Sequence, residues 1–468
     1  MSLQNIKKII KDAEIKYVDF RFTDTKGKWQ HLTYDVKFVD NDTLKNGVFF
    51  DGSSIAGWQD INESDMLLQP DLNSYAVDPF TPYPTLIIFC DIADPHAKKG
   101  YELDPRNTAK LAEAYLKSTK IGDVAYFGPE LEFFLFDDVR FENGNYTSSY
   151  QVNSNEHPNN NNKETAEGNL AHRPKLKGGY FPVPPIDSGF DIRQEISATL
   201  EEIGLEAILN HHEVAPAQHE LGFKFSHLTD VADAVQKYKY VVHNVAHAYG
   251  KTATFMPKPV YNDNGNGMHV HQSIWKNGKN IFSGNKYAGL SEQALFYIGG
   301  VIKHAKALNA ILNASTNSYK RLVPGFEAPT ILAYSERNRS AAIRIPCVTS
   351  ANAKRIETRF PDSTANPYLA FSALLLAGLD GIQNKIHPGD ADERDLYALS
   401  KTELAKKSQV ADSFEIALAS LDKDRKFLTA SGVFTDRQLD AYLEQKNAEV
   451  IALNHRPHPI EFENYFSV

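Results

Sequence analysis

The feature that most constrains this chain is the aromatic segment Val124–Phe136, VAYFGPELEFFLF. Its length and its aromatic composition predict a buried strand. Side chains on a strand alternate between its faces, so Glu130 and Glu132 point to the same side. Paired carboxylates on a buried strand repel each other and are costly to desolvate. Either one of the two is protonated or cations neutralise them, and from the strand alone a pair of internal salt bridges is equally open.

Composition narrows the class of protein that carries this strand. The chain has 468 residues, 42% of them hydrophobic and 23% charged, enough for about two to four globular domains. Its net charge of −9 argues against a nucleic-acid partner, which requires a basic face. The apolar run 369–379 is too short to span a bilayer, and the N-terminus has no signal-peptide pattern. With only Cys90 and Cys347 there is no disulfide framework, so we expect a soluble cytoplasmic protein with no membrane partner.

Strands and turn signals dominate the first part of the chain. Segments 15–40 and 84–92 are rich in Val, Ile, Phe and Tyr and predict short strands. The pattern changes near residue 100. We therefore expect a small α+β domain over residues 1–103 and a large catalytic α/β domain over residues 104–468.

Long helices alternate with strands in the second part. Asp104 and Pro105 predict the start of a helix over 107–116, with Asp104 as its cap and Pro105 in its first turn. The stretches 153–163 and 390–407 are typical of exposed loops, and the asparagine-rich first one is expected to carry no chemistry. Further helices are predicted over 192–204, 231–249, 293–313 and 367–383.

A polar run over residues 211–220, HHEVAPAQHE, supplies two further glutamates, Glu213 and Glu220. It contains proline and too few apolar residues for a core helix. Taken alone, such a run is more often an exposed loop than a set of ligands.

The run 264–273, NGNGMHVHQS, combines a glycine-punctuated loop with a strand. Glycines let the backbone approach a ligand closely, and the strand places His269, His271 and Ser273 on one face. Carboxylates outnumber imidazoles among the candidate ligands and neither cysteine is near, which favours Mg²⁺ or Mn²⁺ over Zn²⁺. The predicted metal cluster comprises Glu130, Glu132, Glu213, Glu220, His269 and Glu357.

An arginine-rich stretch over residues 319–359 indicates an anionic partner. It holds eight basic and three acidic residues, a surplus of positive charge inside an acidic chain. Alternation near its end places Arg355, Glu357 and Arg359 on one face, and the planar fork of arginine suits phosphate or carboxylate. Ordinary ion pairing is the alternative. Carboxylates that hold metal beside arginines that hold phosphate explain the charges better.

One phosphate-binding motif is excluded. Gly250-Lys251-Thr252 resembles the end of a P-loop, but Val245 stands where that loop requires glycine. The segment also ends a predicted helix, whereas a P-loop opens one. Any ATP site in this chain is therefore of another kind.

Together these segments resemble the glutamine synthetases of the bacterial type I class. Seven matching segments follow in register along nearly the whole chain. They are residues 51–54 with 62–65 (DGSS, NESD), 128–133 (GPELEF), 177–181 (KGGYF), 213–216 (EVAP), 264–269 (NGNGMH), 320–329 (KRLVPGFEAP) and 355–359 (RIETR).

The resemblance implies ATP-dependent condensation of L-glutamate with ammonia to give L-glutamine, ADP and phosphate. A free carboxylate resists attack by an amine, so it would first become γ-glutamyl phosphate. Two divalent ions, Mg²⁺ or Mn²⁺, would lie in each active site. They would divide the cluster into two triads: Glu132, Glu213 and Glu220, and Glu130, His269 and Glu357.

The resemblance also implies the substrate contacts. Asp51, from a neighbouring subunit, would bind ammonium and take its proton, helped by Tyr180 and Glu213. Glu327 lies in a loop that would close over the site and exclude water. The remaining implied contacts are Asn264, Gly265, Arg321 and Arg359 for glutamate, Arg339 and Arg344 for the transferring phosphate, and His271, Ser273, Arg344 and Arg355 for ATP.

Assembly and regulation follow from the same resemblance. It implies an N-terminal β-grasp-like domain, a catalytic domain with an antiparallel sheet, and a homododecamer of two stacked hexameric rings with active sites between subunits. The apolar C-terminus 460–466 would insert into a partner subunit. Tyr397 would be modified by an adenylyltransferase, as in the adenylylation-regulated beta subtype, although the prolines expected just after it are absent. Asn352 and Ile208 depart from the nucleotide-binding pattern, and Lys354 would compensate for Asn352.

Two other interpretations stay open. A γ-glutamyl ligase for a larger amine, such as a polyamine, would use the same metals and ATP. Asp51 and Tyr180 favour ammonia, since a larger amine needs no ammonium pocket. A non-catalytic structural homologue would be expected to have lost metal ligands, and every predicted ligand is in the sequence.

Overall fold

The computed structural model describes residues 3–55, 57–58, 64–95, 100–164, 166 and 168–468. Asn62 and Glu63, half of the motif 62–65, lie outside the described residues. Among the helices that are described, none is both long enough and apolar enough to cross a membrane.

A mixed five-stranded sheet forms the N-terminal domain. Its elements are α1 (Leu3–Asp12), β1 (Tyr17–Thr23), β2 (Trp29–Asp35), α2 (Asn41–Asn46), β3 (Val48–Asp51), β4 (Asp65–Val77) and β5 (Thr85–Ala93). The strand order is β2-β1-β5-β4-β3, with β1 and β5 parallel and the other neighbours antiparallel. Gly27, at φ +83°, makes the turn between β1 and β2. The strands predicted in this part of the sequence are therefore confirmed.

A ten-stranded sheet forms the centre of the large domain. The strands of this domain are β6 (Val124–Phe136), β7 (Asp138–Asn143), β8 (Ser148–Asn153), β9 (Ala207–His212), β10 (Gln218–Phe223), β11 (Ser226–His227), β12 (Thr252–Thr254), β13 (Met268–Lys276), β14 (Lys279–Asn280), β15 (Tyr334–Glu336), β16 (Ile343–Ile345) and β17 (Ile356–Thr358). The main path is β15-β16-β17-β13-β6-β10-β9, and β7 and β8 form a separate hairpin. All neighbours along the main path are antiparallel except β15 and β16, which confirms the predicted antiparallel sheet.

Helices cover one face of this sheet. The helices of the large domain are α3 (Pro105–Thr119), α4 (Phe190–Glu202), α5 (Leu228–Ala248), α6 (Glu292–Lys303), α7 (Ala305–Leu312), α8 (Ser318–Arg321), α9 (Pro367–Gln383), α10 (Lys401–Leu404), α11 (Phe414–Lys423), α12 (Lys426–Thr429), α13 (Asp436–Asn454) and α14 (Pro459–Tyr465). Asp104 caps α3 by accepting a hydrogen bond from the Arg106 N–H, as predicted. The helix predicted over 293–313 is wrong in one respect: it divides at His304, whose buried imidazole lies between Asp380 and Asp424.

Strand β6 shows why the other face of the sheet carries the site. Phe127 and Leu131 belong to the main core under the helices, and the ring of Phe127 stacks on Phe371 of α9 at 5.3 Å. Glu130 and Glu132 alternate with these apolar residues and therefore project from the opposite face. The single strand thus joins the largest core to the candidate ligands.

A buried arginine connects the two domains. Arg106, at the start of α3, forms ion pairs with Asp71 and Asp91 of the N-terminal sheet and with Asp233 of α5, at 2.7–2.9 Å. The charge of Arg106 helps to lower the pKa of Asp71 to about 2, against the effect of its burial. The predicted boundary between residues 103 and 104 falls just before this helix.

Two polar segments are more buried than their composition suggests. In the stretch 153–163, Ser154 and Glu156 are each 2% exposed, because the Glu156 carboxylate pairs with His212 in the interior. The run 211–220 forms most of the β9–β10 hairpin, and Glu220 is buried within it. Polar composition was a poor guide here because internal hydrogen bonds satisfy these side chains.

Candidate functional site

Neighbouring strands of the large sheet bring the predicted ligands to one face. Strand β6 pairs with β13, which places His269 opposite Glu130. On its other side β6 pairs with β10, which places Glu220 opposite Glu132. Glu357 comes from β17, which pairs with the far side of β13. Residues opposite each other in an antiparallel pair share a face, so these side chains converge.

Glu130, His269 and Glu357 form one compact group, here called the arginine-balanced centre. His269 Nδ1 lies 3.8 Å from Glu130 Oε2 and 3.8 Å from Glu357 Oε1. Arg344 and Arg359 donate to the two oxygens of Glu357, each at 2.7 Å. Burial by itself would raise the pKa of Glu357, but the charges of Arg359, the nearby imidazoles and Arg344 outweigh it and lower the pKa. Protein cations therefore neutralise this carboxylate.

His211, Glu213 and Glu220 form a second compact group, here called the acidic centre. His211 Nδ1 lies 3.6 Å from Glu213 Oε1, and its Nε2 lies 3.4 Å from Glu220 Oε1. In the described part of the chain, no lysine or arginine forms an ion pair with either glutamate. Burial raises the pKa of both glutamates well above the usual range, and neighbouring carboxylates raise it further. A bound proton or a cation from outside the protein would neutralise this centre.

Glu132, expected beside Glu213 and Glu220, lies between the two centres. Its Oε2 accepts hydrogen bonds from the Gly267 N–H at 2.8 Å and from Gln218 Nε2 at 3.1 Å. Its Oε1 lies 4.0 Å from His269 Nε2. The sequence-based triad omitted His211, which stands two residues before Glu213 and could have been found from that same-face spacing.

The donor atoms fit a hard divalent cation. Carboxylate oxygens dominate both centres, and among the described residues the glutamates of the acidic centre pair with a histidine and with no lysine or arginine. Oxygen-rich sites of this kind suit Mg²⁺ and Mn²⁺.

Both centres line one cavity of about 570 Å³. Asp51 does not line it: it is exposed at the end of β3, where its carboxylate accepts hydrogen bonds from Ser53 and Ser54. A cavity that combines acidic ligands with several arginines is suited to phosphoryl transfer. The other sequence-predicted residues in its wall are Tyr180, Asn264, Gly265, Arg321, Glu327, Arg339, Arg344 and Arg359.

The glycines of the loop 264–267 make room for the protein itself. A Cβ on Gly265 would lie 2.1 Å from the Pro257 carbonyl oxygen, and one on Gly267 would lie 2.6 Å from Arg321 Nη2. Both distances are too short for a side chain. The lack of side chains at these glycines therefore lets the loop pack closely against other parts of the cavity wall. The expectation from the sequence was a close approach of the backbone to a ligand.

The loop that carries Glu327 lies at the edge of the cavity in a constrained conformation. Gly325 and Glu327 have φ values of +92° and +58°. Between them, the ring of Phe326 lies 4.0 Å from Lys177 Nζ and 3.9 Å from Lys258 Nζ. Burial lowers the pKa of Lys258 to about 8. Two cation–π contacts thus hold the loop beside Glu327.

A second cavity of about 350 Å³ adjoins the first and shares Glu130 with it. The predicted ATP contacts His271, Ser273 and Arg355 line it, whereas Arg344 lines the first cavity. His271 Nε2 lies 2.9 Å from Glu130 Oε1, and Arg355 Nε donates to His271 Nδ1 at 3.2 Å. Hydrogen bonds therefore connect the second cavity to the arginine-balanced centre.

The residues that depart from the family pattern also line the second cavity. Ile208, Asn352 and Lys354 all contribute to its wall. Lys354 Nζ donates to the Ala288 carbonyl at 2.5 Å, so in this conformation its ammonium group is engaged with the protein. Lys251 of the excluded P-loop motif lines neither cavity and donates to Asp137.

Tyr397 lies in a short 3-10 turn, Leu396–Ala398. Its side chain is 39% exposed, and its backbone N–H donates to Asp395 Oδ1 at 3.0 Å. Partial burial raises the pKa of its hydroxyl, against the charges of Arg359 and Arg321. The tyrosine is accessible from solvent near the arginines of the first cavity.

Comparisons with known proteins agree with this geometry. Residues 14–95 match a family model described as the glutamine synthetase β-grasp domain, and residues 102–465 match one described as the glutamine synthetase catalytic domain. A glutamine synthetase from Methylococcus capsulatus is 60% identical over 100% of both chains. A relative from Cupriavidus pinatubonensis, named 3-hydroxylaminophenol mutase, is 57% identical over 100% of this chain and 99% of its own. The cryo-EM structure of a Plasmodium falciparum glutamine synthetase superposes with a TM-score of 0.91 at 30% identity, over 99% of both chains.

Proposed function

The chain belongs to the glutamine synthetase family, in its bacterial type I class, and we propose how its residues carry out the ATP-dependent condensation of L-glutamate with ammonia. The observation that carries the proposal is the single cavity in which two carboxylate centres face several arginines and adjoin a second cleft. Substrates that must be phosphorylated and then attacked need this combination of metal ligands and cationic side chains.

Glutamate is held where its γ-carboxylate faces both centres. Arg321 and Arg359 bind its carboxylates from the cavity wall, and Asn264 and Gly265 contact it from the loop beside them. ATP occupies the second cleft against His271, Ser273 and Arg355, with its γ-phosphate directed past Glu130. Two divalent ions would bind in the first cavity. One would be held by Glu132, Glu213 and Glu220, with His211 adjacent, and the other by Glu130, His269 and Glu357.

Phosphoryl transfer converts the γ-carboxylate into an acyl phosphate. Divalent cations, Mg²⁺ or Mn²⁺, held by these ligands would supply positive charge that offsets the ATP phosphates and the acceptor carboxylate. Arg339 and Arg344 stabilise the charge that develops on the transferring phosphoryl group. The Glu327 loop closes over the cavity, so that water does not hydrolyse the intermediate.

Ammonia then attacks the carbonyl carbon of the γ-glutamyl phosphate and displaces phosphate. Asp51 of a neighbouring subunit binds ammonium and accepts a proton, and Tyr180 and Glu213 complete the ammonium pocket. The pKa of Asp51 is lowered by hydrogen bonds from Ser53 and Ser54, which keeps it ionised and attractive to a cation. We further propose a homododecamer with active sites between subunits, a cytoplasmic location, and adenylylation of Tyr397 by an adenylyltransferase.

Trapping the acyl phosphate tests the assignment. Purified protein is incubated with glutamate and ATP, with and without Mg²⁺ and Mn²⁺, and γ-glutamyl phosphate and glutamine are both quantified. We expect γ-glutamyl phosphate only with a divalent metal, and glutamine only when both a divalent metal and ammonia are present. Putrescine and 3-hydroxylaminophenol serve as alternative substrates. ATP turnover with putrescine alone, or metal-supported assays that yield no glutamine, would overturn the proposal.

Mixed assemblies test the shared site. Asp51→Asn and Arg339→Ala are each expected to be inactive when alone. If Asp51 acts in the neighbour's site, random co-assembly of the two variants should give about a quarter of the active sites both an intact Asp51 and an intact Arg339. Mixing without any recovery would place Asp51 and Arg339 in the same subunit's site.

A further inference from the structure

We propose that Glu156 is a positioning residue for the acidic centre, acting through His212 and the turn 213–218. This inference rests on the proposed metal-binding role of Glu213 and Glu220. Glu156 comes from the asparagine-rich segment that the sequence indicated to be an exposed loop, and it lines neither cavity. Its action on the site must therefore pass through other residues.

Hydrogen bonds connect Glu156 to both ends of the turn. Glu156 Oε2 accepts from His212 Nε2 at 2.7 Å and from the Ala217 N–H at 2.6 Å. His212 Nδ1 in turn donates to the backbone carbonyl of Glu213 at 2.7 Å. Since carboxylate and carbonyl oxygens only accept, both ring nitrogens of His212 carry protons in this chain of contacts. One buried carboxylate thus holds the turn at the Ala217 N–H directly and at the Glu213 carbonyl through His212.

The turn needs such an outside support. Ala217 has a φ of +67°, a left-handed conformation that is unfavourable for a residue other than glycine. The turn closes through the Glu213 N–H, which donates to the Gln218 carbonyl at 2.7 Å. From the cavity side, Gln218 Nε2 donates to Glu132 and to the Gly265 carbonyl, each at 3.1 Å. Glu156 on the outside and Gln218 on the inside hold the turn between them.

A separate metal site at this cluster is a weaker interpretation. Glu156, His212 and His219 offer atoms that lie within 4.8 Å of one another. The second oxygen of Glu156 already accepts from the Ser188 N–H at 3.0 Å and from its hydroxyl at 2.7 Å. His219 Nδ1 lies 2.9 Å from the guanidinium of Arg193. A cation here would displace good hydrogen bonds and lie beside a buried arginine, so positioning is the better account.

Substitutions distinguish positioning from simple structural support. Glu156→Gln places an amide group against the donors of His212 and Ala217, while Ser188→Ala removes a donor from the other oxygen and serves as the matched control. Mn²⁺ affinity is measured on the full-length protein without substrates, from free Mn²⁺ by electron paramagnetic resonance. We expect Glu156→Gln to weaken Mn²⁺ binding about 10-fold or more. Mutation of a group that orients a metal ligand through hydrogen bonds commonly has an effect of this size.

Activity provides an independent comparison of the same variants. Glu156→Gln should require about 10-fold more Mn²⁺ for half-maximal turnover and recover most of its kcat at saturating metal. Ser188→Ala should bind Mn²⁺ like the wild type. His212→Gln should reproduce the effect of Glu156→Gln. The variant that carries both substitutions should bind Mn²⁺ as tightly as either single variant, because both substitutions interrupt the same chain of contacts. His212→Gln also decides the matter if Glu156→Gln does not fold.

Three outcomes would overturn the inference: wild-type Mn²⁺ affinity in Glu156→Gln, an equal loss in Ser188→Ala, or a loss that excess Mn²⁺ does not restore. The proposed function can fail separately. Wild-type protein that binds Mn²⁺ but makes no glutamine would refute the ligase mechanism and leave this inference standing. Wild-type protein that binds no Mn²⁺ would refute both.

Discussion

The two carboxylate centres face the same cavity but are neutralised in different ways. In the arginine-balanced centre, Arg344 and Arg359 each form an ion pair with Glu357 at 2.7 Å. In the acidic centre, Glu213 and Glu220 have only His211 as an ion-pair partner among the described residues. The pKa of Glu357 is accordingly lowered. The pKa values of Glu213 and Glu220 are raised by burial and by the negative charge of neighbouring glutamates.

This difference indicates which of the two centres depends on bound metal for its stability. A buried carboxylate paired with arginine has its desolvation offset within the fold. Buried carboxylates that face each other are unstable until a cation binds or a proton is taken up. The acidic centre should therefore be the stronger metal site and the one whose state changes most with conditions.

The largest expected effect is on catalysis at the acidic centre. Glu220→Gln removes a ligand charge without changing the size of the side chain. Loss of a metal ligand should lower kcat/KM about 100-fold or more, and excess metal should not restore it. Steady-state kinetics over a Mn²⁺ titration checks this result. An active Glu220→Gln enzyme would show that the acidic centre is not a metal site.

The centres should respond oppositely to charge removal when metal is absent. Glu357→Gln leaves Arg344 and Arg359 without their buried partner and should lower the free energy of unfolding by about 3 kcal/mol. Glu220→Gln relieves repulsion in the acidic centre and should raise it by about 1–3 kcal/mol. Urea unfolding in EDTA measures both variants. Changes of the same sign would remove the contrast between the centres.

The pH dependence of stability should differ with and without metal. Glu213 and Glu220 hold protons more tightly in the folded state, so without metal the folded protein binds more protons than the unfolded chain. The free energy of unfolding should then fall as pH rises above about 4.5, by up to about 1.4 kcal/mol per group and pH unit. Saturating Mg²⁺ should remove this decline.

Thermal unfolding followed between about pH 5 and pH 9 in EDTA and in Mg²⁺ provides the measurement. Glu220→Gln in EDTA is the matched control and should show a shallower decline than the wild type. Parallel curves for the wild type with and without Mg²⁺ would contradict the assignment of the raised pKa values to the metal site.

The smallest expected effect is at the nucleotide cleft, outside both centres. Arg355 contacts His271 and the Ala353 carbonyl but no carboxylate of the acidic centre. Arg355→Lys keeps the charge and loses the planar fork, so the KM for ATP should rise about 5- to 10-fold. Mn²⁺ affinity should stay unchanged. A loss of Mn²⁺ affinity would mean that the cleft and the metal centres are coupled through His271.

Much of the fold was predictable because its signals are local. The bounds of β6 and α9 follow from continuous apolar runs, and the start of α3 follows from its capping aspartate and its proline. The split between α6 and α7 was missed. It falls at His304, whose partners Asp380 and Asp424 lie far along the chain.

The candidate site was predictable in its residue types but not in its arrangement. Period-two spacing indicated that Glu130 and Glu132 share a face, and the chemistry of carboxylates indicated a hard cation. Which glutamate belongs to which centre depends on the register of β10 and β13 against β6, and register is a property of strands distant in sequence.

By itself, the sequence determined the strand that carries the paired glutamates, the carboxylate-rich chemistry of the site and the family, because each depends on residue identity and short-range spacing. Only the tertiary structure decided that arginines neutralise one centre and leave the other acidic, since those ion pairs join separate strands. It also decided that the polar segment around Glu156 is interior. Burial of a polar side chain depends on partners that the chain brings together only when it folds.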